Sequence, residues 1–202
     1  MSVCNSSGIV RLATLEDAPI LQQIYAYYVD KTVVSFETKA PDVDEFRSRI
    51  QQISRDFPYL VYESDGRILG YAYAHRCFER EAYAWNAETT VYLDVNERGH
   101  GVGGRLYGAL IEFLTAMEYR NLYAVIVSEN VESCRFHERN GFKLFSVFKK
   151  SGWKDGRWLD VSWYDLQVAS FDGPPVYPLS FSTLSEEYVN DVCRRFSGRG
   201  LK

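Results

Sequence analysis

A run of glycines between two predicted elements is the part of the sequence best suited to bind a ligand. Four of the six residues from 99 to 104 are glycine, and Arg98 precedes them. The run separates a predicted strand from a predicted helix. Several backbone N–H groups are therefore left free at a helix N-terminus, where the helix dipole also favours an anion. Because glycine has no side chain to block a phosphate, the pattern predicts a phosphate or pyrophosphate site.

Three known patterns overlap at this turn. A P-loop would need Gly-Lys-Ser/Thr, but Gly104 is followed by arginine and leucine, which excludes it. The dinucleotide fingerprint G-x-G-x-x-G is matched, yet a hairpin is predicted before the turn, where that fold has parallel strands. The third pattern is the pyrophosphate signature [R/Q]-x-x-G-x-G/A, which Arg98, Gly101 and Gly103 match.

Two titratable side chains could move a proton near this turn. Glu88 lies within an otherwise neutral predicted strand, where it either faces solvent or is partly desolvated. In the second case its pKa would be raised, which suits a carboxylate that accepts a proton. His137 lies on a predicted helix after Asn130, and histidine titrates near neutral pH. Its alternative is a surface position in contact with a ligand or with solvent.

The spacing of apolar residues predicts the elements that position these side chains. Apolar residues recur every three or four positions in the helical segments and alternate with polar ones in most of the strands. The predicted order is a helix capped near Thr14, a helix capped by Asp42, strands 59–63, 68–75 and 87–95, helix 105–117, strand 122–127, helix 131–140, and strands 143–150 and 158–167. This order predicts an α+β fold with a mixed sheet.

The succession resembles the GCN5-related N-acetyltransferase (GNAT) family from about residue 9 to 168. Within that family it is most similar to the enzymes that acetylate phosphinothricin and methionine sulfoximine. The similar segments are 35–38, 70–74, 88–92, 124–126, 136–138 and 156–161. The resemblance implies the GNAT fold, in which about four helices flank a mixed, mostly antiparallel central sheet. It also implies direct attack of a primary amine on acetyl-CoA in a ternary complex.

The resemblance implies where acetyl-CoA would lie. Its diphosphate would contact the glycine turn, and its pantetheine arm would contact the strand before the turn and the residues after the next strand. The implied cofactor-binding residues are Val91, Tyr92, Leu93, Arg98, Gly99, His100, Gly101, Val102, Gly103, Gly104, Asn130 and Ser133. The backbone N–H of Leu93 is the implied donor to the thioester oxygen. Asn130 is equally suited to cap the helix that follows it.

The resemblance also implies roles in catalysis and acceptor binding. Glu88 would deprotonate the attacking amine. His137 stands where many family members have a tyrosine acid, and its role as acid, base or cofactor contact stays open. The implied acceptor-binding residues are Phe36, Arg80, Tyr83 and Tyr92. The Arg80 guanidinium could bind the carboxylate of an amino-acid-like acceptor. No metal site is predicted.

Other functions stay open at this stage. Within the family the acceptor could be a peptide N-terminus, a polyamine or an aminoglycoside. The chain could also be an acetyl-CoA-binding module without turnover, although the presence of Glu88 and His137 argues against that. A nucleotide-dependent oxidoreductase would be recognised by binding of a reduced nicotinamide cofactor.

The composition excludes several other classes of protein. Of 202 residues, 46% are hydrophobic and 25% are charged, which is the balance of a folded domain. A net charge of −4 without a basic run argues against nucleic acid or an anionic membrane as partner. No apolar segment approaches the ~20 residues that a transmembrane helix needs, and we expect no secretory signal.

The remaining expectations concern location and organisation. The four cysteines are widely separated, which favours a reducing compartment and a cytoplasmic protein. We expect residues 8–168 to form one acetyltransferase domain and residues 169–202 to be a linker with a possible short helix near 184–196. The partner is expected to be a small-molecule amine, and the resemblance implies a homodimer.

Overall fold

A single sheet extends through the part of the chain that the computed structural model describes, residues 8–198. Its seven strands lie in the order β1-β2-β3-β4-β5-β7-β6, and β4–β5 is the one parallel pair among these residues. The strands are β1 (Ile9–Leu12), β2 (Tyr59–Ser64), β3 (Arg67–Arg76), β4 (Asn86–Leu93), β5 (Asn121–Val127), β6 (Lys143–Lys154) and β7 (Arg157–Gln167). The predicted α+β fold is confirmed.

Five α-helices cover the sheet within residues 8–198. They are α1 (Ala18–Lys31), α2 (Val43–Ile53), α3 (Val102–Ala116), α4 (Val131–Arg139) and α5 (Glu186–Phe196). One apolar cluster joins α1 and α2 to the β2–β3 face, where Tyr59 and Tyr71 are buried. The other cluster joins α3 and α5 to the opposite face, with Phe113 fully buried. The two clusters hold β4 between them.

Short capping motifs fix where the helices begin. The Asp42 side chain accepts a hydrogen bond from the backbone N–H of Glu45 at 2.8 Å, as predicted for the start of α2. Asn130 caps α4 in the same way, through the N–H of Ser133 at 3.2 Å. The first helix begins later than the sequence indicates. Thr14 and Asp17 form a capping box around a short 3₁₀ turn, and α1 follows from Ala18.

Two elements differ from the sequence expectations. Strand β1 is absent from the predicted order, because four residues are too short a run to show a clear period. It pairs with β2 through registers such as Val10 with Tyr62. Helix α5 forms at the expected place, and its Val189 and Val192 belong to the same apolar cluster as α3. Among residues 8–198, no helix combines the length and apolar composition of a membrane span.

The junction of β4 and β5 positions the site. The two strands pair over three positions, which end at Glu88 and Tyr123. Beyond that point β4 continues to Leu93 next to β3, while β5 continues to Val127 next to β7. One edge of β4 is therefore left without a neighbouring strand after Glu88. An exposed row of backbone donors and acceptors of this kind can bind an extended ligand.

Candidate active site

A groove of about 680 Å³ opens where β4 and β5 separate. Both strands line it, together with the N-terminal end of α3 and one side of α4. The predicted site residues that line it are Glu88, Val91, Tyr92, Leu93, Arg98, Gly99, Gly103, Asn130, Ser133 and His137. One groove thus brings together both predicted proton carriers and most of the predicted cofactor-binding residues.

The other predicted residues lie outside the lining of this groove. His100, Gly101, Val102 and Gly104 belong to the turn beside it and are not among its lining residues. Arg80 is exposed in the loop after β3, and Tyr83 is 46% exposed with its ring 4.9 Å from that of Phe78. Phe36 packs on Gly152 of β6. These three side chains lie in connections outside the sheet. The alternation of apolar and polar residues that predicts the strands therefore could not predict their positions.

The glycine turn has the geometry of an anion site. Gly99 and Gly101 both have φ of +80°, a conformation that L side chains rarely adopt, and Gly101 is the N-cap of α3. The first N–H groups of α3 have no partners within the helix and point out of its N-terminus. A Cβ on Gly104 would meet no atom within 4 Å, so packing does not require glycine there. The turn fits a diphosphate held by backbone N–H groups.

Tyr28 of α1 connects this turn to the end of β4. Its hydroxyl donates to the carbonyl oxygen of Leu93 at 2.6 Å. The Arg98 guanidinium lies over the Tyr28 ring, 5.4 Å from its centroid, and forms an ion pair with Glu132 at 3.4 Å. The helical period placed Tyr28 on the buried face of α1, but nothing in the sequence indicated these two contacts.

Glu88 lies on the groove side of β4, opposite the α3 face. Its neighbour Thr89 points to the other side, where it hydrogen-bonds Tyr107 of α3. Partial burial raises the pKa of Glu88, and the nearby His75 of β3 opposes that shift. The raised pKa makes the carboxylate a better proton acceptor than an exposed glutamate.

His137 is buried in an aromatic environment. The side chain lies at ring-centroid distances of 5.1 Å from Tyr107 and 5.4 Å from Phe142, and the residue is 4% exposed. Its Nδ1–H donates to the carbonyl oxygen of Ser133 at 2.8 Å. Burial lowers the pKa of His137 to about 4. The imidazole is therefore neutral at pH 7 and its Nε2 can only accept a hydrogen bond.

Residues 8–198 bring together no three His, Cys, Asp or Glu side chains that could hold a metal ion.

Comparison with known families places the chain among the acetyltransferases. Residues 10–163 match the model of the acetyltransferase (GNAT) domain family. The chain belongs to the GNAT family. This GNAT chain is 39% identical to phosphinothricin N-acetyltransferase of Alcaligenes faecalis over 154 residues, which are 75% of this chain and 78% of that protein.

Two further relatives extend the comparison of the GNAT chain. The L-methionine sulfoximine/L-methionine sulfone acetyltransferase of Pseudomonas aeruginosa is 30% identical over 80% of this chain and 95% of its own length. The crystal structure of a phosphinothricin acetyltransferase from Sinorhizobium meliloti in complex with AcCoA superposes with a TM-score of 0.81. It is 30% identical, and the match covers 88% of this chain and 97% of that one. The predicted family and fold are confirmed.

Sequence reasoning missed several residues that line the groove of the GNAT chain. They are Tyr28, Tyr73, His75, Thr89, Thr90, Glu132, Arg135, Phe136 and Arg139, together with Val34 of the loop after α1 and the β5 residues Ala124, Val125 and Ile126. Alternation along β3 could have placed Tyr73 and His75 on one face, and pairing of β3 with β4 could have placed that face beside Glu88. The sequence gives no signal for the α4 side of the groove, because it depends on where β5 ends.

Proposed function

We propose that this protein transfers an acetyl group from acetyl-CoA to the primary amine of a small amino-acid-like acceptor, in a ternary complex. The observation that carries the proposal is that Glu88, the free edge of β4 and the glycine turn all open on one groove. The names of the relatives support an acceptor of the phosphinothricin, methionine sulfoximine or methionine sulfone type.

The residues of the groove suit acetyl-CoA, which supplies the acetyl thioester when bound. The N–H groups at the start of α3, with Arg98 nearby, would hold the diphosphate. The free edge of β4 from Val91 to Leu93 would bond the amides of the pantetheine arm as a strand would. Asn130 and Ser133 line the groove at the start of α4 and would contact the same arm, although the Asn130 side chain already caps that helix.

Glu88 would take the proton that the acceptor's ammonium must lose before it can attack. Its raised pKa favours that transfer, because the free energy of protonating it is less unfavourable than for an exposed glutamate. The N–H of Leu93 would donate to the thioester oxygen as negative charge develops there. Tyr28 supports that role, since its bond to the Leu93 carbonyl fixes the end of β4.

His137 would act as a neutral group. Its bare Nε2 can accept a hydrogen bond from a donor in the groove, but the lowered pKa leaves almost no imidazolium to protonate a departing thiolate at pH 7. We therefore propose that the thiolate leaves without a proton from His137, and that His137 orients a bound donor.

The Glu88→Gln variant tests the proposal. We expect turnover to fall at least ~100-fold, because the proton acceptor is lost, with the acetyl-CoA dissociation constant unchanged. Free-thiol release would be followed with phosphinothricin, methionine sulfoximine and methionine sulfone, and acetyl-CoA binding by calorimetry. Glu118→Gln, just beyond the C-terminal end of α3, is the matched control, since Glu118 pairs with Arg120 away from the groove.

The outcomes separate the competing functions. Wild-type turnover by Glu88→Gln would remove that residue as the base. Release of thiol with a polyamine, a peptide or an aminoglycoside, and with none of the three amino-acid analogues, would assign another acceptor class. Binding of acetyl-CoA without turnover of any amine would make the chain a binding module.

We also propose that the protein is a homodimer in the cytoplasm. The support for a dimer is a group of large apolar side chains on β6 and β7, each half exposed or more: Leu144, Phe145, Phe148, Trp153 and Trp158. Large apolar side chains that are left exposed in such numbers on one hairpin are typical of an interface. Cys77, Cys134 and Cys193 are free thiols, which supports a reducing compartment. Phe145→Asp should halve the mass measured by light scattering, and Phe171→Asp in the tail should leave it unchanged.

A further inference from the structure

His75 lies next to the predicted base, Glu88, on the neighbouring strand of the sheet. β3 and β4 are antiparallel, and the register sets His75 directly opposite Glu88. The two side chains meet on the groove side, with Nε2 of His75 3.9 Å from Oε1 of Glu88. Both residues line the groove. Directly opposed side chains on one face of a sheet interact, so the charge state of His75 affects Glu88 and that of Glu88 affects His75.

The hydrogen bonding of His75 determines which ring nitrogen faces the carboxylate. Nδ1 lies 3.1 Å from the carbonyl oxygen of Arg76, which can only accept, so Nδ1 carries a proton. In the neutral imidazole, Nε2 is then the bare nitrogen, and it is the one that faces Glu88. A proton on Glu88 therefore has an acceptor beside it.

Exposure differs between the two members of the pair. The side chain of His75 is 39% exposed and that of Glu88 is 25% exposed. His75 thus connects the less accessible carboxylate to solvent. We propose that His75 relays the proton that Glu88 removes from the acceptor amine to water. The proposal rests on the proposed function of Glu88, and His75 acts through Glu88 as a positioning residue.

The proton transfers balance as follows. The acceptor ammonium gives one proton to the Glu88 carboxylate, which becomes a neutral carboxylic acid, and the amine is left with its lone pair. Rotation about the side-chain bonds brings the Glu88 hydroxyl within hydrogen-bond distance of Nε2, and the proton passes to His75. The resulting imidazolium gives a proton to water, which restores the carboxylate and the neutral imidazole for the next acceptor.

The groups around the pair stay neutral at pH 7. Burial raises the pKa of Tyr73 on β3, and that of Cys77 directly after β3, to about 12. It also raises the pKa of Tyr107 on α3 and of Tyr123 on β5, the register partner of Glu88. None of these four groups carries a charge at pH 7 that would hold the proton, and Tyr107 lies on the α3 face of the sheet, behind the pair. His75 is thus the basic group that faces the Glu88 carboxylate at this point of the described sheet.

The His75→Gln variant tests the relay. We expect kcat to fall about tenfold at pH 7, with KM for acetyl-CoA unchanged. The charge of protonated His75 lowers the pKa of Glu88, so its loss should move the acid limb of kcat/KM for the acceptor to higher pH. Arg67→Gln is the matched control, because it removes a basic group from the same strand, 3.8 Å from Asp94 and away from the groove.

Chemical rescue separates proton transfer from a structural role. Added imidazole should restore most of the lost kcat in His75→Ala, and it should have no effect on the wild type or on Arg67→Gln. Wild-type kcat and an unmoved acid limb in His75→Gln would overturn the relay. If Glu88→Gln is inactive and His75→Gln is fully active, the relay alone fails. If Glu88→Gln is fully active, the base assignment fails first.

Discussion

Burial shifts the pKa values of Glu88 and His137, the two side chains predicted to move protons, in opposite directions. It disfavours the charged form of each, which raises the pKa of Glu88 and lowers the pKa of His137 to about 4. Glu88 becomes a stronger base, whereas His137 loses its ability to act as an acid at pH 7. The sequence suggested both residues, but it could not distinguish these roles because the distinction depends on how each side chain is packed, Glu88 on β4 and His137 on α4.

The buried imidazole of His137 should make stability depend on pH. Its folded pKa of about 4 is below its unfolded value of 6.5, so the unfolded state takes up the proton first. The stability that comes from neutral His137 is complete above pH 6.5 and is lost as the pH falls toward 4. From pH 7 to pH 5, the loss from this residue is about 2 kcal/mol.

Urea unfolding at both pH values would measure this contribution. His137→Phe keeps an aromatic ring among Tyr107, Phe136 and Phe142 and removes the titrating group. The free energy of unfolding of the variant should fall by about 2 kcal/mol less than that of the wild type between pH 7 and pH 5. The carboxylates titrate equally in both proteins. Equal losses would mean that His137 is solvated and titrates normally.

At the scale of elements, the strands that carry the site could be predicted from the sequence, but the groove between β4 and β5 could not. The alternation in β3 and β4 and the glycine turn before α3 can be read from apolar spacing. The separation of β4 from β5 after Glu88 cannot, because it depends on β5 pairing with β7, a strand about 40 residues later. The position of Arg80 could not be predicted either, because its loop has no periodic pattern of apolar residues.

The tip of the β6–β7 hairpin holds the loop that carries Phe36. The Nζ of Lys154 is buried and donates to the carbonyl oxygens of Val29 and Ser35, both at 2.7 Å. The first of these lies in the last turn of α1, where a cation is favourable. A Cβ on Gly152 would come within 2.3 Å of the Phe36 ring. The hairpin therefore fixes the position of Phe36, a predicted acceptor-binding residue.

Gly152→Ala should shift Phe36 without unfolding the loop. The added methyl group requires the ring to move, so KM for the acceptor should rise about fivefold to tenfold. KM for acetyl-CoA should stay unchanged, because the glycine turn lies on other elements. Steady-state kinetics with each substrate varied in turn would measure both. Ser151→Ala on the exposed side of β6 is the control, and equal acceptor KM values for the two variants would show that Phe36 does not contact the acceptor.

At the scale of the whole molecule, the tail after β7 contacts both strand β1 and helix α3, which begins at the glycine turn. Arg105 is buried next to that turn and donates to the carbonyl oxygens of Phe196 and Ser197 at 3.1 and 3.0 Å. Ser197 accepts from the N–H of Val10 at 2.9 Å through its hydroxyl, which ties α5 to β1. Residues 164–198 lie beyond the family match, yet α5 packs on α3 of that domain.

Phe196 of the tail packs directly on α3. Its ring fills the space beside Gly108, where a Cβ would lie 2.4 Å from it. Phe196→Ala should remove this contact and lower the free energy of unfolding by about 2 kcal/mol, since the side chain is partly buried. Because Gly108 lies in the second turn of α3, whose N-terminus carries the glycine turn, KM for acetyl-CoA should also rise severalfold in this variant.

Phe171→Ala gives the comparison, because Phe171 also lies in the tail but is 60% exposed. Its urea midpoint and its KM for acetyl-CoA should match those of the wild type. If both variants unfold at the wild-type midpoint, α5 contributes no stability to the domain. If Phe196→Ala is destabilised but binds acetyl-CoA normally, α5 stabilises the core of the domain without positioning the turn. A joint change in midpoint and KM is what the contacts of Arg105 and Gly108 predict, since they reach α3 within its first two turns.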